Sequence, residues 1–323
     1  MTNRRSIALA LLLITSAPTL LFAQDYPARP VKLIVPYAAG GGTDAIARIV
    51  AQVMSEKLGQ TLVVENVATG GGNVATIQAA AAAPDGYSVL MANQGPMAVN
   101  PHMMQGLKVD TLKAFSPVTQ IASAPLVVVV PESSKLKIFG DLIAAARKSP
   151  GKLTYGSAGN GSASHVATLL LNHVAGIGTM HVPYRGAGPA IGDLLGGQTD
   201  FMVTTFPSVV GLIESGKMRA LAVTTKQRSP LLKDTPSIAE SGFPSYEASA
   251  WYGLVVPSGT PQAIVEKLRQ SAVAALGTEL VRSRLAADGA VPVGSAPEEF
   301  GAFMRDEHAR WKEIVSASKL QID

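Results

Sequence analysis

The sequence predicts a two-lobed α/β protein, in which each lobe is a β-sheet flanked by helices and a ligand binds in the cleft between the lobes. Strands alternate with helices along most of the chain, which is typical of sheets covered on both faces. Two extended segments, 118–130 and 246–256, have the positions expected of crossings between lobes. Four glycine-rich loops each follow a strand and precede a helix, and such loops form the binding cleft of open α/β folds.

Composition supports a globular protein and excludes several functional classes. The chain has 323 residues, of which 47% are hydrophobic and 15% charged, too apolar for a disordered chain and too lightly charged for a coiled coil. Because it has no cysteine, disulfides, thiolate metal sites, cysteine nucleophiles and a lipid-modified N-terminal cysteine are excluded. Lys plus Arg is 27 against 23 for Asp plus Glu, without a basic cluster, so we expect no nucleic-acid partner.

The first residues predict a signal peptide. Arg4 and Arg5 precede an apolar run over 7–14 that continues more loosely to Phe22, and small Ala23 stands before Gln24. We therefore expect residues 1–23 to be removed and the mature protein to be exported. An uncleaved membrane anchor is the alternative, although the apolar core is shorter than the ~20 residues that span a bilayer.

The first half of the mature chain begins with two strand–helix units. A β-branched strand over 31–35 precedes a helix over 43–58 with apolar residues at helical spacing, and a strand over 61–65 precedes a helix over 74–83. A Pro-Asp-Gly turn then leads into a strand over 87–91. Residues 94–115 contain Pro, Gly and Met without a clear period, which predicts an irregular surface segment.

The same alternation continues in the second half. It predicts strands over 153–157, 179–182, 200–204 and 219–224, and helices over 163–174, 189–195 and 209–215. Together with the first units, this pattern predicts parallel sheets. At the C-terminal end, Pro261 at a first-turn position opens a helix over 262–276, and Pro297 opens one over 298–318.

The two crossings divide the chain. Both are expected to be interrupted, at 123–125 and at 249–250. We therefore predict that lobe 1 comprises residues 24–124 plus 249–323, and lobe 2 residues 125–248.

The four glycine-rich loops span 36–44, 69–73, 156–162 and 184–189. Glycine lets the backbone approach a ligand closely, and the first turn of a helix offers unpaired N–H groups at the positive end of its dipole. The loops are therefore predicted to bind an anion, although tight turns and helix caps would also account for glycine in any single loop.

Rival chemistries are less well supported. Gly40-x-Gly42-x-x-Ala45 satisfies the dinucleotide fingerprint, but four residues separate Gly40 from the preceding strand. Ser162, Ser164 and His165 lie close together at a helix start without an orienting acid, which favours capping by the serines and a cleft-facing donor role for His165. No metal-binding His spacing exists. An exported enzyme acting on a small organic acid in the same cleft stays open as the alternative.

Several short motifs resemble those of a known family. They are Tyr26-Pro27-x-Arg29-Pro30, Ile34-Val35-Pro36-Tyr37-x-x-Gly40-Gly41-x-Thr43-Asp44, Pro84-Asp85-Gly86-Tyr87, Gly159-Asn160-Gly161-Ser162, His181-Val182-Pro183-Tyr184-Arg185-Gly186 and Asp193-Leu194-Leu195-Gly196-Gly197. Together they resemble the Bug-type extracytoplasmic receptors of the tripartite tricarboxylate transporter family, over essentially the whole mature chain. The resemblance implies a periplasmic binding protein, type II-like, that carries a carboxylate to membrane permease subunits in a transient contact, or to a sensor domain.

The resemblance also implies which loops bind. They match 37–44 on one lobe, and 157–165 with 184–188 on the other. The expected ligand-binding residues are Tyr37, Ala39, Gly40, Gly41, Gly42, Thr43, Asp44, Ser157, Asn160, Gly161, Ser162, His165, Tyr184, Gly186 and Thr204. For Asp44, an N-cap role is preferred to a ligand contact. We expect a monomer with no cofactor and no catalytic residues.

Two departures from the family pattern bear on the ligand. Thr204 replaces a common Asp, and Ala38-Ala39 stands where Pro and Gly are often found. Because Thr204 removes a carboxylate that could pair with a ligand ammonium, we expect a carboxylic acid without an amino group.

Overall fold

A computed structural model describes residues 26–104 and 109–318, with side chains to residue 316. The predicted signal peptide lies outside the described residues. The strands are β1 Val31–Val35, β2 Leu62–Asn66, β3 Ser88–Asn93, β4 Phe115–Pro131, β5 Thr154–Ser157, β6 Met180–Pro183, β7 Phe201–Thr205, β8 Met218–Val223, β9 Ser249–Pro257 and β10 Val291–Pro292. The helices are α1 Gly42–Leu58, α2 Asn73–Ala80, α3 Asn100–Met103, α4 Thr111–Ala114, α5 Phe139–Lys148, α6 Ala163–Ala175, α7 Ala187–Leu195, α8 Val210–Glu214, α9 Gln262–Leu276, α10 Glu279–Ala287 and α11 Pro297–Ser318.

The strands form two sheets that share β4. The first sheet has the order β2-β1-β3-β9-β4, with β10 also paired to β4. The second contains β8, β4, β7, β5 and β6, in which β4 pairs with both β7 and β8. The prediction of parallel sheets is right for β1–β3 and for β5–β7. It is wrong for β4, β8, β9 and β10, whose pairs are antiparallel because these strands are not joined to their neighbours by helical crossovers.

The strand β4 connects the two sheets without the predicted break. Its residues up to Pro125 pair with β9, and from Leu126 onward it pairs with β7 and β8. Proline lacks a backbone N–H, which is tolerated here because the strand exchanges one partner for others at this point. The next N–H, that of Leu126, donates to the Thr224 hydroxyl at 2.9 Å.

Residues 94–103 are not the predicted irregular surface. Gly95–Val99 forms a single π-helical turn that continues into α3, and Met97, Ala98 and Val99 are at most 1% exposed. The segment packs with Trp311 and Val315 of α11. A π turn has no 3.6-residue period, so its apolar residues do not follow the spacing of an α-helix.

The elements converge on one region between the sheets. The strands β1, β5 and β6 end in glycine-containing loops that lead into α1, α6 and α7. The carboxyl ends of parallel strands lie at the same edge of a sheet, so these loops face each other across the region where β4 passes from one sheet to the other. The valines of β4 from Val127 to Val130 are fully buried, which anchors that region.

Candidate functional site

A cavity with about 470 Å³ of empty space, part of it open to solvent, lies between the two sheets. The first-sheet side contributes Tyr37, Gly41, Gly42, Thr43, Asn93, Gln94, Ala250, Trp251 and Tyr252. The second-sheet side contributes Ala158, Ser162, Ala163, Ser164, Ala187, Thr204, Thr205 and Ser208.

Three helices begin at the cavity. Gly42 and Thr43 are the first two residues of α1, Ala163 and Ser164 those of α6, and Ala187 is the first of α7. The first N–H groups of a helix have no intrahelical acceptor and carry the positive end of the helix dipole. The three helix starts therefore direct partial positive charge toward the same space.

The described lining residues include no Asp, Glu, Lys, Arg or His. The wall consists of backbone amides, hydroxyls, two side-chain amides, small alanines and aromatic rings. Such a wall can bind an anion through neutral donors, and a bound anion meets no side-chain carboxylate that would repel it.

Six of the sequence-predicted residues line the cavity: Tyr37, Gly41, Gly42, Thr43, Ser162 and Thr204. The other nine are not among the lining residues. They are Ala39, Gly40, Asp44, Ser157, Asn160, Gly161, His165, Tyr184 and Gly186.

Asp44 holds the first glycine-rich loop in place. It is 4% exposed, and its carboxylate accepts hydrogen bonds from the Gly40 N–H at 3.1 Å, Arg48 Nε at 2.9 Å and Asn66 Nδ2 at 2.9 Å. Burial alone would raise the pKa of Asp44, but these hydrogen bonds outweigh burial and lower the pKa below its ordinary value. The predicted N-cap role is wrong, because the N-cap is Gly41 and Asp44 lies inside the first turn.

The loop before α6 is held by two histidines. The Gly161 N–H donates to His165 Nδ1 at 3.0 Å, and His181 Nε2 lies 2.6 Å from the Ser157 hydroxyl. The His165 and His181 rings stack with centroids 4.0 Å apart. Burial, and secondarily His181, lowers the pKa of His165 to about 3, and burial lowers the pKa of His181 to about 4. His165 is thus neutral and supports the loop from behind, whereas a cleft-facing donor was expected.

Ser162 is the N-cap of α6, which confirms the capping role predicted for it. Its hydroxyl accepts from the His165 N–H at 3.4 Å and lies 3.0 Å from the Ser164 hydroxyl. Because His165 Nδ1 is occupied by the Gly161 N–H, it does not activate either serine. Ser157 contacts His181 but is fully buried, so a substrate in the cavity does not reach it.

Tyr184 and Gly186 lie where loops from the two sides meet. The Tyr184 hydroxyl donates to Asp193 at 2.8 Å, and burial together with Asp193 raises its pKa to about 12. The Ala38 N–H donates to the Arg185 carbonyl at 3.0 Å, directly beside Gly186. The Gly42 N–H likewise reaches across to the Ser208 hydroxyl at 2.8 Å.

A further contact between loops, that of Gly71 with Asn160, requires glycine. Gly71 has φ +61°, and a Cβ there would overlap the carbonyl oxygen of Asn160. The second glycine-rich loop therefore packs backbone to backbone against the Asn160 loop.

Sequence reasoning missed several cavity residues. Asn93 ends β3 and Gln94 follows it, at the same edge of the first sheet as Tyr37, and this position is a signal that could have identified them. Trp251 and Tyr252 lie on a segment that was recognised as a crossing but not as part of the wall. Ser208 carried no signal in its local sequence.

Within residues 26–104 and 109–318, no group of three or more His, Asp and Glu side chains could hold a metal ion. The same residues contain no helix long and apolar enough to cross a membrane.

Residues 46–320 match the family model described as "Tripartite tricarboxylate transporter family receptor". The chain belongs to this family. The match covers most of the chain and confirms the resemblance inferred from its motifs.

Solved structures of similar proteins agree with this assignment. Periplasmic binding protein BugD is 34% identical, with a TM-score of 0.89 over 92% of this chain and 99% of that chain. Rpa4515 of R. palustris, solved with adipate, is 35% identical, with a TM-score of 0.88 over 91% and 98%. MatC of Rhodopseudomonas palustris, solved with bound malate, is 32% identical, with a TM-score of 0.87 over 90% and 100%.

Family membership confirms the predicted fold class and the general role. This family receptor has the two-lobed periplasmic binding protein fold and is a periplasmic solute-binding receptor. Because the family and its solved members are receptors, the alternative of an exported enzyme is set aside.

Proposed function

We propose that this receptor captures a small carboxylic acid in the cavity and delivers it to a membrane permease of the tripartite tricarboxylate type. The observation that carries the proposal is the convergence of three helix N-termini on a cavity whose described lining has no charged side chain. Two similar receptors were solved with adipate and malate, which are both carboxylic acids.

The proposed carboxylate position is the space bounded by the starts of α1, α6 and α7. Backbone N–H groups of Thr43, Ser164 and Ala187, with the Thr43 hydroxyl, are the proposed donors. A hydrogen bond to a charged group contributes about 1.5–3 kcal/mol. Three or four such bonds offset the cost of association and give an affinity in the micromolar range.

The predicted lobe boundaries are part of the proposal. A division at Pro125 is supported by the change of β4 partners between Pro125 and Leu126. A division at Ser249 is supported by Ala248, whose N–H bonds the Thr224 carbonyl, while Ser249 pairs with Pro125. The two lobes would then close on the ligand as a monomer.

Export by a cleaved signal peptide is also proposed. Arg4, Arg5 and the apolar run that follows support removal of residues 1–23. N-terminal sequencing of the protein recovered from the periplasm should begin at Gln24. A mature protein that still begins at Met1 would contradict cleavage.

The ligand is tested by thermal unfolding with a panel of organic acids, amino acids and aromatic acids. An acid present at ~100 times its dissociation constant should add about 2.7 kcal/mol of stability. Mass spectrometry of the incubated acid should show no product. Lack of stabilisation by every acid, or repeated turnover of any acid, would contradict the proposed function.

The recipient of the ligand needs a separate measurement. Uptake of the radiolabelled acid should fall in cells from which the receptor gene is deleted. Unchanged uptake, together with a lost transcriptional response to the acid, would identify a sensor as the recipient.

A further inference from the structure

Two buried side chains on the cavity wall have polar atoms without a protein partner among the described residues. Asn93 is 6% exposed and Tyr252 is 1% exposed, and both line the cavity. Asn93 Nδ2 and the Tyr252 hydroxyl have no hydrogen-bond partner. Because buried polar groups in folded proteins are nearly always paired, unpaired donors at a cavity wall are available to pair with a ligand atom.

The strand pairing places these two residues side by side. Asn93 ends β3, and Tyr252 lies opposite it in the antiparallel register of β3 and β9. Residues directly opposite each other in such a pair have Cβ atoms about 4.5–5.5 Å apart. A single group of a ligand can therefore reach both side chains.

Tyr37 determines which hydrogen-bonding role Asn93 offers. The Tyr37 hydroxyl donates to Asn93 Oδ1 at 3.3 Å, so the amide oxygen is occupied and its NH₂ group remains. Burial, and then the neighbouring Tyr252, raises the pKa of Tyr37 well above its usual range, and burial does the same for Tyr252. Both phenols keep their protons, so Tyr252 also retains an O–H to donate.

The Thr205 hydroxyl lies beside Tyr252 on the wall, but it pairs with the Ser208 hydroxyl at 2.7 Å. The Tyr252 hydroxyl and Asn93 Nδ2 are therefore left without a hydrogen-bond partner among the described residues. The neighbouring Trp251 already has a hydrogen-bond partner, because its indole N–H donates to Glu307 at 3.2 Å. An alkyl group placed here would leave buried donors unpaired, and an ammonium group would face the NH₂ donors of Asn93. An oxygen acceptor would pair with them.

We propose that Asn93 and Tyr252 form a second polar subsite that binds an oxygen acceptor of the ligand, either a carboxylate or a ketone, separate from the carboxylate held at the helix N-termini. The ligand class is then the dicarboxylates and oxo acids. This subsite deepens the proposed function and rests on it. Tyr37 acts as a positioning residue for Asn93.

Acids of matched shape test the subsite by calorimetry. Succinate, levulinate and isocaproate have the same number of non-hydrogen atoms and end in a carboxylate, a methyl ketone and an isopropyl group. A second series consists of adipate with its corresponding ketone and isopropyl analogues. In the series that binds more tightly, the isopropyl acid should bind at least about tenfold more weakly than an oxygen-bearing acid.

Two variants identify the residues responsible. Asn93→Asp replaces the donor by a carboxylate oxygen, and Tyr252→Phe removes the hydroxyl. Both should reduce the preference for the oxygen-bearing acid over the isopropyl acid about tenfold. Because both acids are measured on the same variant, a general loss of folded protein leaves this ratio unchanged. Tyr155→Phe is the control, since its hydroxyl is also buried and unpartnered but Tyr155 does not line the cavity.

The outcomes separate this inference from the proposed function. Equal affinity for the isopropyl and oxygen-bearing acids, or tight binding of benzoate alone, would overturn the second subsite while leaving a carboxylate receptor. An unchanged preference in both variants would also overturn it. Absence of binding by every acid would overturn the proposed function itself, and the subsite with it.

Discussion

Thr204 contributes a neutral side chain to the second-sheet wall. It lies in β7 opposite Val127, is 1% exposed and lines the cavity. Its hydroxyl can donate to a ligand oxygen but carries no charge to hold an ammonium. Wild-type protein should therefore bind succinate more tightly than aspartate, and Thr204→Asp should reverse or narrow this preference by about tenfold.

Calorimetry with both ligands measures this preference. Thr204→Val is the matched control, because it preserves the shape without adding a charge and should keep the preference for succinate. Tighter binding of aspartate by the wild type, or the same preference in Thr204→Asp, would contradict the role given to Thr204.

Gly41 lies where the α1 start approaches α7 closely. Its φ of −92° is accessible to any residue, so the constraint is space, and the positive φ of this loop belongs to Gly40 at +87°. A Cβ at Gly41 would lie 3.3 Å from the Ala187 Cβ, and valine would add two further methyl groups there. Gly41→Val should therefore weaken ligand binding at least about tenfold.

A matched glycine provides the control for this measurement. At Gly192 in α7, a Cβ would have no neighbouring atom within 4 Å. Gly192→Val should therefore leave the affinity for the acid unchanged. If Gly41→Val binds the acid as tightly as the wild type, the carboxylate does not lie at the α1 start.

The loop between β5 and α6 should make stability depend on pH. Burial lowers the pKa of His165 from 6.5 to about 3 and that of His181 to about 4. Both folded-state pKa values lie below those of the unfolded chain, so their contribution is complete above pH 6.5 and is lost as the pH falls toward about 4. His165 alone should cost about 1.4 kcal/mol of folding stability for each pH unit between 6.5 and about 3.

Denaturant unfolding at a series of pH values measures this loss. His165→Gln should flatten the dependence, because glutamine does not titrate and can still accept from the Gly161 N–H. His173→Gln, at an exposed position of the same helix, is the control and should retain the wild-type slope. A wild-type slope in His165→Gln would show that other groups govern acid sensitivity.

Local sequence predicted the strand–helix units and failed where pairing partners are distant in the chain. The period of Ile46, Val50 and Val53 identified α1, because one helix face packs on the sheet. The antiparallel pairing of β4 with β9 joins residues more than a hundred positions apart, and no local pattern encodes it. The helices α5 and α10 were also missed.

The candidate site, like the fold, was predicted from the sequence only in part. Gly41, Gly42 and Thr43 could be placed in it because glycine before a helix signals a backbone binding site. Asn93 and Tyr252 could not, since their role depends on the pairing of β3 with β9. Asp44 and His165 are polar residues in the right loops, but their side chains hold the loops rather than the cavity wall.

At the scale of the whole molecule, the loops on the two sides of the cavity already touch. The Ala38–Arg185 and Gly42–Ser208 hydrogen bonds join them. A ligand that contacts both sides adds further interactions available only in the closed form, so it should shift the population toward that form. Small-angle scattering should give a smaller radius of gyration with the acid, and no change with its uncharged amide.

An unchanged radius together with tight binding of the acid would contradict ligand-driven closure. It would indicate a cleft that is closed before the ligand binds, or a site formed by one lobe alone.

The central claim is that backbone N–H groups at helix N-termini, without any charged side chain, hold a carboxylate between the two sheets. The most direct measurement is a calorimetric comparison of adipate and succinate with their diamides, which have nearly the same shape but no negative charge. The acid that binds should do so with one site per chain and a dissociation constant in the micromolar range, and its diamide should bind at least about a hundredfold more weakly. Equal affinity for acid and diamide, or no binding by any carboxylic acid, would contradict the account.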